Sequence, residues 1–152
     1  TEALSTLRIE MGHVAGSELD GRTIPYDNSL EGLVSKKKDF IGKRSLNRTA
    51  FVAEDRQKVV GVVPIDKKTS IPEGSHLVKD AKAKLPNPKL GHVSASCWSV
   101  EYNNPFSLAI LHDGKNMIGQ KLFALSPLKN KSIPVEIVSS HYVDPKGERV
   151  RS

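Results

Sequence analysis

Short apolar segments separated by turn residues fill the chain between residues 56 and 140. Each segment is β-branched or alternates apolar with polar positions, and Gly, Pro and Asn interrupt the series at short intervals. The pattern predicts six strands, at residues 58–65, 76–78, 91–100, 106–111, 121–125 and 132–138. This spacing is typical of a small antiparallel barrel or sandwich. We therefore predict a mainly β fold with minor α content.

The first 47 residues follow a different pattern. A helix is predicted at the N-terminus, where Thr1 can cap it, Gly12 can end it, and one face is formed by Ala3, Leu4, Leu7 and Met11. Residues 14–28 are rich in turn formers and predict an ordered loop. Residues 28–34 predict a weak strand, and residues 36–46 predict a single helical turn in which Phe40, Ile41 and Leu46 are buried.

The change of pattern places a domain boundary near residues 47–55. Residues 1–47 form one unit and residues 48–152 form the barrel. A segment of fewer than about 45 residues rarely buries enough apolar surface to fold alone, and residues 1–47 are close to that limit. We therefore expect residues 1–47 to pack on the barrel or on a part of the protein outside this chain.

Composition indicates a globular protein. The chain has 152 residues, of which 38% are hydrophobic and 26% are charged, and 23 basic against 17 acidic residues give a net charge of +6. No apolar stretch approaches the length of a membrane span, so no membrane partner is expected. The single cysteine, Cys97, fits a reducing compartment, and we expect a cytoplasmic protein. Because the chain begins at Thr1 without an initiator Met, we expect it to be a piece of a longer protein.

The sequence predicts no catalytic residue and no metal site. Its five histidines are scattered and lack the spacing of zinc ligands: His13, His76, His92, His112 and His141. Cys97 lies within a predicted strand, where no neighbour would lower its pKa, and is interpreted as an inert thiol. Glycine-rich phosphate-binding motifs do not occur, so no nucleotide cofactor is assigned to this chain.

A basic patch extends from Lys36 to Arg44 and holds five cationic residues. Nucleic-acid binding is one interpretation of such a patch. Aromatic residues make up only 5% of the chain, however, and only Phe40 lies within the patch, whereas single-strand binders present stacking rings. We therefore favour a solvated surface that attracts an acidic neighbour or the polyglutamate tail of a ligand.

Three segments occur in the order and spacing of a known family. Residues 3–12 contain Leu-Arg-Ile-Glu-Met-Gly and resemble the leucine–arginine–x–glutamate–x–glycine signature of folate-dependent aminomethyltransferases, which include the glycine cleavage T-protein. Residues 39–46 resemble the family's Phe-Ile-Gly-Lys segment, and residues 91–96 resemble its Gly-x-Val-Thr/Ser-Ser strand. Residues 34–46, 90–99 and 142–149 resemble one branch of this family in particular, the alpha subunits of heterotetrameric sarcosine oxidases.

This resemblance implies that the chain is the C-terminal portion of a much longer subunit. Residues 1–47 would be the end of a folate-binding domain, and residues 48–152 the family's C-terminal barrel. In such enzymes a flavin in another subunit oxidises sarcosine, and tetrahydrofolate captures the one-carbon unit as methylene-tetrahydrofolate. FAD, FMN and NAD belong to the full complex and are not expected on this chain. The expected partners are the other subunits, the missing N-terminal part of the alpha subunit, and folate. The chain alone is expected to be inactive.

The resemblance transfers few functional residues. Tyr142 is the nearest match to a folate-facing tyrosine, and Arg8 and Glu10 are candidate ligand residues, although a structural pair that braces the helix is the simpler interpretation. Leu4 stands where the T-protein has a folate-contacting arginine, so that contact is not transferred. Backbone turns are expected at three glycines of the family's motifs: Gly12, Gly42 and Gly91.

Two alternatives stay open. The chain could come from a related folate-dependent enzyme, either a dimethylglycine oxidase or another relative of the T-protein. It could also be a free-standing basic barrel that binds RNA.

Overall fold

Six antiparallel strands close into a barrel in the computed structural model, which describes residues 1–82 and 89–152. Around the barrel the strand order is β1-β4-β3-β2-β5-β6. The barrel prediction is confirmed, and the predicted strands agree with the observed ones to within two residues at each end: β1 (Lys58–Pro64), β2 (His76–Val78), β3 (Gly91–Ser99), β4 (Asn104–Leu111), β5 (Lys121–Ser126) and β6 (Lys131–Val138).

Helices are few and short. The described residues form 3₁₀ turns at Gly16–Glu18 and Glu31–Leu33, and four α-helices: α1 (Glu2–Glu10), α2 (Lys43–Leu46), α3 (Thr49–Val52) and α4 (Glu148–Arg151). Across the described ranges, no helix has the length and apolarity needed to cross a membrane.

The weak strand predicted at residues 28–34 is wrong. Leu30 donates its backbone N–H to the Pro25 carbonyl (2.9 Å), Ser29 has a positive φ of 58°, and a 3₁₀ turn follows. The apolar residues there alternate too briefly to override a turn begun by Pro25.

The barrel interior is filled by aliphatic side chains from all six strands and their connections, since successive strand residues point alternately in and out. The interior cluster contains Val60, Val62, Ile71, Leu77, Val93, Ala109, Leu111, Met117, Leu122, Ala124, Ile133, Val135 and Ile137. A second cluster covers the outside of β1, β3 and β4 and contains Ile9, Val59, Val63, Ala95, Phe106, Leu108 and Ile110. All eight residues of β4 are buried, because the N-terminal segment covers its outer face.

The N-terminal segment is therefore packed on the barrel. Asp27 fastens its loop: the Asp27 carboxylate accepts two hydrogen bonds from the Arg56 guanidinium (2.8 and 2.6 Å), and its carbonyl accepts one from the Val59 N–H (2.7 Å). Asp27 is buried, so its bidentate pairing with Arg56 compensates the loss of hydration.

The face by which α1 contacts the barrel differs from the predicted one. The helix itself is confirmed, but Leu4 and Leu7 are 71% and 55% exposed, whereas Ile9 and Glu10 are buried. The helix docks through its C-terminal turn, so Leu4 and Leu7 of the predicted apolar face point outward.

Two of the three motif glycines are turn residues, as predicted. Gly12 ends α1 with a φ of +70°, and Gly42 precedes α2 with a φ of +95°. Gly91 is not a turn residue: it begins β3, opposite Leu111, and a Cβ there would overlap the Ile110 carbonyl oxygen. It is required for the close approach of two strands.

The basic patch forms the predicted single helical turn, but its apolar residues are less buried than expected. Ile41 is fully exposed, Phe40 is 37% exposed, and Leu46 is half-buried. The Lys43 ammonium donates to the Lys38 carbonyl (2.8 Å), which closes the segment on itself. Within the described residues, the segment therefore has little apolar surface to pack against.

Candidate functional site

A groove between α1 and β3 has a volume of about 760 Å³. Its helix side includes Ala3, Leu7 and Ile9, and its strand side includes Cys97 and Trp98. Val100 lies at the end of the groove and is 79% exposed, and Trp98 is 48% exposed. The volume lies within the usual range for ligand sites, and exposed apolar walls of this kind mark binding surfaces.

The groove is closed at one end by Glu10. Its carboxylate accepts hydrogen bonds from the Ser99 hydroxyl (2.6 Å) and the Val100 N–H (3.0 Å). Its carbonyl accepts two more, from the N–H groups of Tyr142 (3.1 Å) and Val143 (2.9 Å). One residue thus joins α1, the end of β3 and the C-terminal segment. Its role as a ligand residue stays a prediction.

Tyr142 is packed into the adjoining aromatic cluster. Its ring stacks on Phe106 at 4.3 Å with an interplanar angle of 5°, and it meets Tyr102 at 4.6 Å in a tilted arrangement. The Tyr142 hydroxyl accepts a hydrogen bond from Asn104 Nδ2 (3.1 Å). Asn104 Oδ1 is buried, with no hydrogen-bond partner in the described part of the chain. This geometry supports a packing role for Tyr142, and folate contact stays a prediction.

Arg8 does not pair with Glu10, so the predicted bracing pair is wrong. The Arg8 guanidinium contacts the Glu18 carboxylate (3.3 Å), which also accepts the Ala15 N–H (3.0 Å). Glu18 is fully buried, and Arg8 compensates its charge. The two signature residues therefore act separately, Arg8 on the following loop and Glu10 on the barrel.

Cys97 is half-buried in the wall of the groove. Burial, reinforced by the nearby Glu10 carboxylate, raises the pKa of its thiol to about 11. At neutral pH the thiol is therefore protonated and unsuited to act as a nucleophile.

The reactivity of the Cys97 thiol should reflect its raised pKa. Because its pKa is raised from 9.0 to about 11, we expect iodoacetamide to alkylate native Cys97 roughly tenfold to a hundredfold more slowly at pH 8 than the urea-unfolded chain. The rate should keep rising with pH until about pH 11. Mass spectrometry of timed samples gives both rates. Equal rates in the native and unfolded chains would contradict the prediction.

No group of three or more potential metal-ligating side chains comes together within residues 1–82 and 89–152. His92 and His112 line one surface cavity, and His76 and His92 are cross-strand neighbours in β2 and β3.

The sequence is 39% identical over 151 residues to the sarcosine oxidase subunit alpha of Rhizobium meliloti, and 37% identical over 152 residues to that of Corynebacterium sp. strain U-96. Both alignments cover 98% of this chain.

The chain is homologous to sarcosine oxidase alpha subunits.

It spans only 15–16% of the length of these relatives. No family model matches the sequence. Among solved structures, the glycine cleavage system aminomethyltransferase T of Bartonella henselae has a similar fold, with a TM-score of 0.74 over 94% of this chain at 20% identity. The match covers 38% of that aminomethyltransferase. The expected resemblance to sarcosine oxidase alpha subunits is confirmed, and the likeness to the aminomethyltransferase is one of fold.

Several residues that organise the site have no evident sequence signal. Glu18 and Asp27 lie in a turn-rich loop whose composition is typical of a solvated segment, yet both are buried and paired with arginines. Asp27 and Arg56 are 29 positions apart, so only the folded chain shows them as partners.

Proposed function

We propose that this chain is the C-terminal portion of a sarcosine oxidase alpha subunit and completes the part of that subunit that binds tetrahydrofolate. The observation that carries the proposal is the 39% identity to such a subunit along nearly the whole chain. Residues 1–47 would be the end of the folate-binding domain, and residues 48–152 its C-terminal barrel. Tetrahydrofolate would accept the one-carbon unit released when sarcosine is oxidised.

The groove between α1 and β3 supports this assignment. Its exposed Leu7, Trp98 and Val100 form an apolar surface that the remainder of a larger subunit can cover. Its volume of about 760 Å³ can accommodate part of a folate molecule. Glu10 and Tyr142 hold the walls in place through their hydrogen bonds to the barrel and the C-terminal segment.

We assign the catalytic and redox groups of the enzyme to other parts of the complex. FAD, FMN and NAD would be held there, and this chain alone would be inactive. The working partners would be the rest of the alpha subunit, the other subunits and folate, in the cytoplasm. Lysines 36–38 of the Lys36–Arg44 patch are exposed. The patch would therefore attract a polyglutamate tail or an acidic neighbour.

The test is made in the complete enzyme that contains this chain. We expect sarcosine to be oxidised with release of hydrogen peroxide, and added tetrahydrofolate to convert the formaldehyde product into methylene-tetrahydrofolate. Leu7→Asp, which places a charge in the groove, should lower the yield of methylene-tetrahydrofolate about tenfold at limiting tetrahydrofolate, since losing one apolar contact with whatever occupies the groove costs about 1.4 kcal/mol.

Leu128→Asp is the matched control, because Leu128 is fully exposed outside the groove. It should leave both products unchanged. If Leu7→Asp behaves like Leu128→Asp, the groove does not contribute to folate capture. If the wild-type complex does not oxidise sarcosine, the assignment to this enzyme is wrong.

A further inference from the structure

A second cavity lies where the turn-rich loop meets the start of β3. It has a volume of about 350 Å³. Leu90, Gly91 and Ile110 form part of its wall. The rest is polar, and it is lined by side chains from four separate parts of the chain.

Cationic and imidazole groups dominate the polar lining. They are Arg22, Lys89, His92 and His112, and among the described residues that line the cavity Asp20 alone is acidic. Asp20 is already paired with Arg22 through two hydrogen bonds, one of 2.9 Å. Within residues 1–82 and 89–152, no carboxylate forms an ion pair with Lys89, His92 or His112. The cavity therefore concentrates positive charge and N–H donors without a matching internal anion.

The surroundings of His92 show the same imbalance. Burial lowers its pKa, the neighbouring Lys89, Arg22 and His76 side chains lower it further, and Asp20 opposes this effect. His76 lies directly across from His92 on β2. A bound anion would reverse this effect, because it would favour the protonated imidazole.

We propose that this cavity binds a small multivalent oxyanion, carried by a phosphoryl or polycarboxylate ligand. Lys89 supplies a point charge, and the imidazoles of His92 and His112 donate N–H groups from neighbouring positions at the ends of β3 and β4. The backbone fixes these positions, since the His112 N–H donates to the Leu90 carbonyl (2.8 Å). Gly91, which has no Cβ, lets β3 and β4 lie close together next to the two imidazoles. This proposal does not depend on the sarcosine oxidase assignment.

The test is a titration of the 152-residue chain with pyrophosphate and, separately, with citrate, at constant ionic strength set by chloride. The imidazole C–H signals of the five histidines are followed by NMR, with His92→Asn and His112→Asn used for assignment. We expect saturable shifts of His92 and His112, while His13 and His141 stay unchanged. Saturation by pyrophosphate alone identifies a phosphoryl ligand, by citrate alone a polycarboxylate, and by both a general oxyanion site.

Two lysine variants and a titration against pH test which groups in the cavity bind the anion. Lys89→Gln should weaken binding about tenfold, since it removes one charge-assisted contact. Lys129→Gln removes the same charge from the exposed turn between β5 and β6 and should change the affinity less than about twofold. A bound anion should raise the pKa of His92, because it favours the protonated imidazole, and NMR titrations against pH with and without pyrophosphate or citrate measure this change. Linear shifts of all five histidines, or equal effects of the two variants, would overturn the proposal.

Discussion

Gly91→Ala is expected to destabilise the barrel by about 3 kcal/mol or more, a large part of the stability of a domain this size. Gly91 lies where β3 passes closest to β4, opposite Leu111. An added Cβ would overlap the Ile110 carbonyl oxygen and lie 2.9 Å from Leu111 Cα. Both neighbours are backbone atoms, so relief requires moving a strand whose residues are all buried.

Urea unfolding monitored by circular dichroism measures this change, and Gly32→Ala is its control. Gly32 lies in a 3₁₀ turn, has no positive φ, and leaves room for a Cβ that would meet no other atom within 4 Å. The same substitution there should be neutral or stabilise by up to about 1 kcal/mol, because alanine restricts the unfolded chain. If Gly91→Ala lowers the free energy of unfolding no more than Gly32→Ala does, β3 and β4 do not approach each other closely enough at Gly91 to exclude a Cβ.

Local sequence pattern predicted the barrel because each strand carries its own signal. The Val-rich β1 and the alternating β6 have composition and turns that agree with their final structure. Gly12 was predictable for the same reason: it ends a helix locally, and its positive φ is a property of that one turn. Where a residue's role depends on neighbours within a few positions along the chain, the sequence was sufficient to predict that role.

Contacts between distant segments were not predictable in this way. The apolar stripe of Leu4 and Leu7 pointed to the wrong face of α1, because docking is decided by Ile9, Glu10 and the barrel surface they meet. Gly91 was interpreted as a turn because its sequence does not reveal the strand that crosses it. The outward position of Leu7 is itself informative, since Leu7 lines the groove that we propose the rest of the subunit covers.

Glu10→Ala is expected to destabilise the chain by about 2–4 kcal/mol and to release α1 from the barrel. The substitution removes the acceptor of the buried Ser99 hydroxyl and of the Val100 N–H. The buried Ser99 hydroxyl, left without its acceptor, costs about 1–3 kcal/mol, and the partly buried Val100 N–H adds a smaller cost. Glu10→Gln should cost less, because its amide oxygen can still accept both hydrogen bonds.

Urea unfolding gives the stability, and limited trypsin digestion shows whether the helix is released. The bond after Arg8 is protected in the folded chain because Ile9 is 3% exposed, and Glu10→Ala should make it cleavable. Glu2→Ala, at the exposed start of the same helix, should cost at most about 1 kcal/mol and leave that bond protected. A residue whose main role is to contact folate would give the opposite result: Glu10→Ala would leave stability and digestion unchanged and alter only ligand binding. Loss of stability without any ligand would show that the glutamate of this signature joins the helix to the barrel, and that any effect of Glu10 on folate acts through the position of α1.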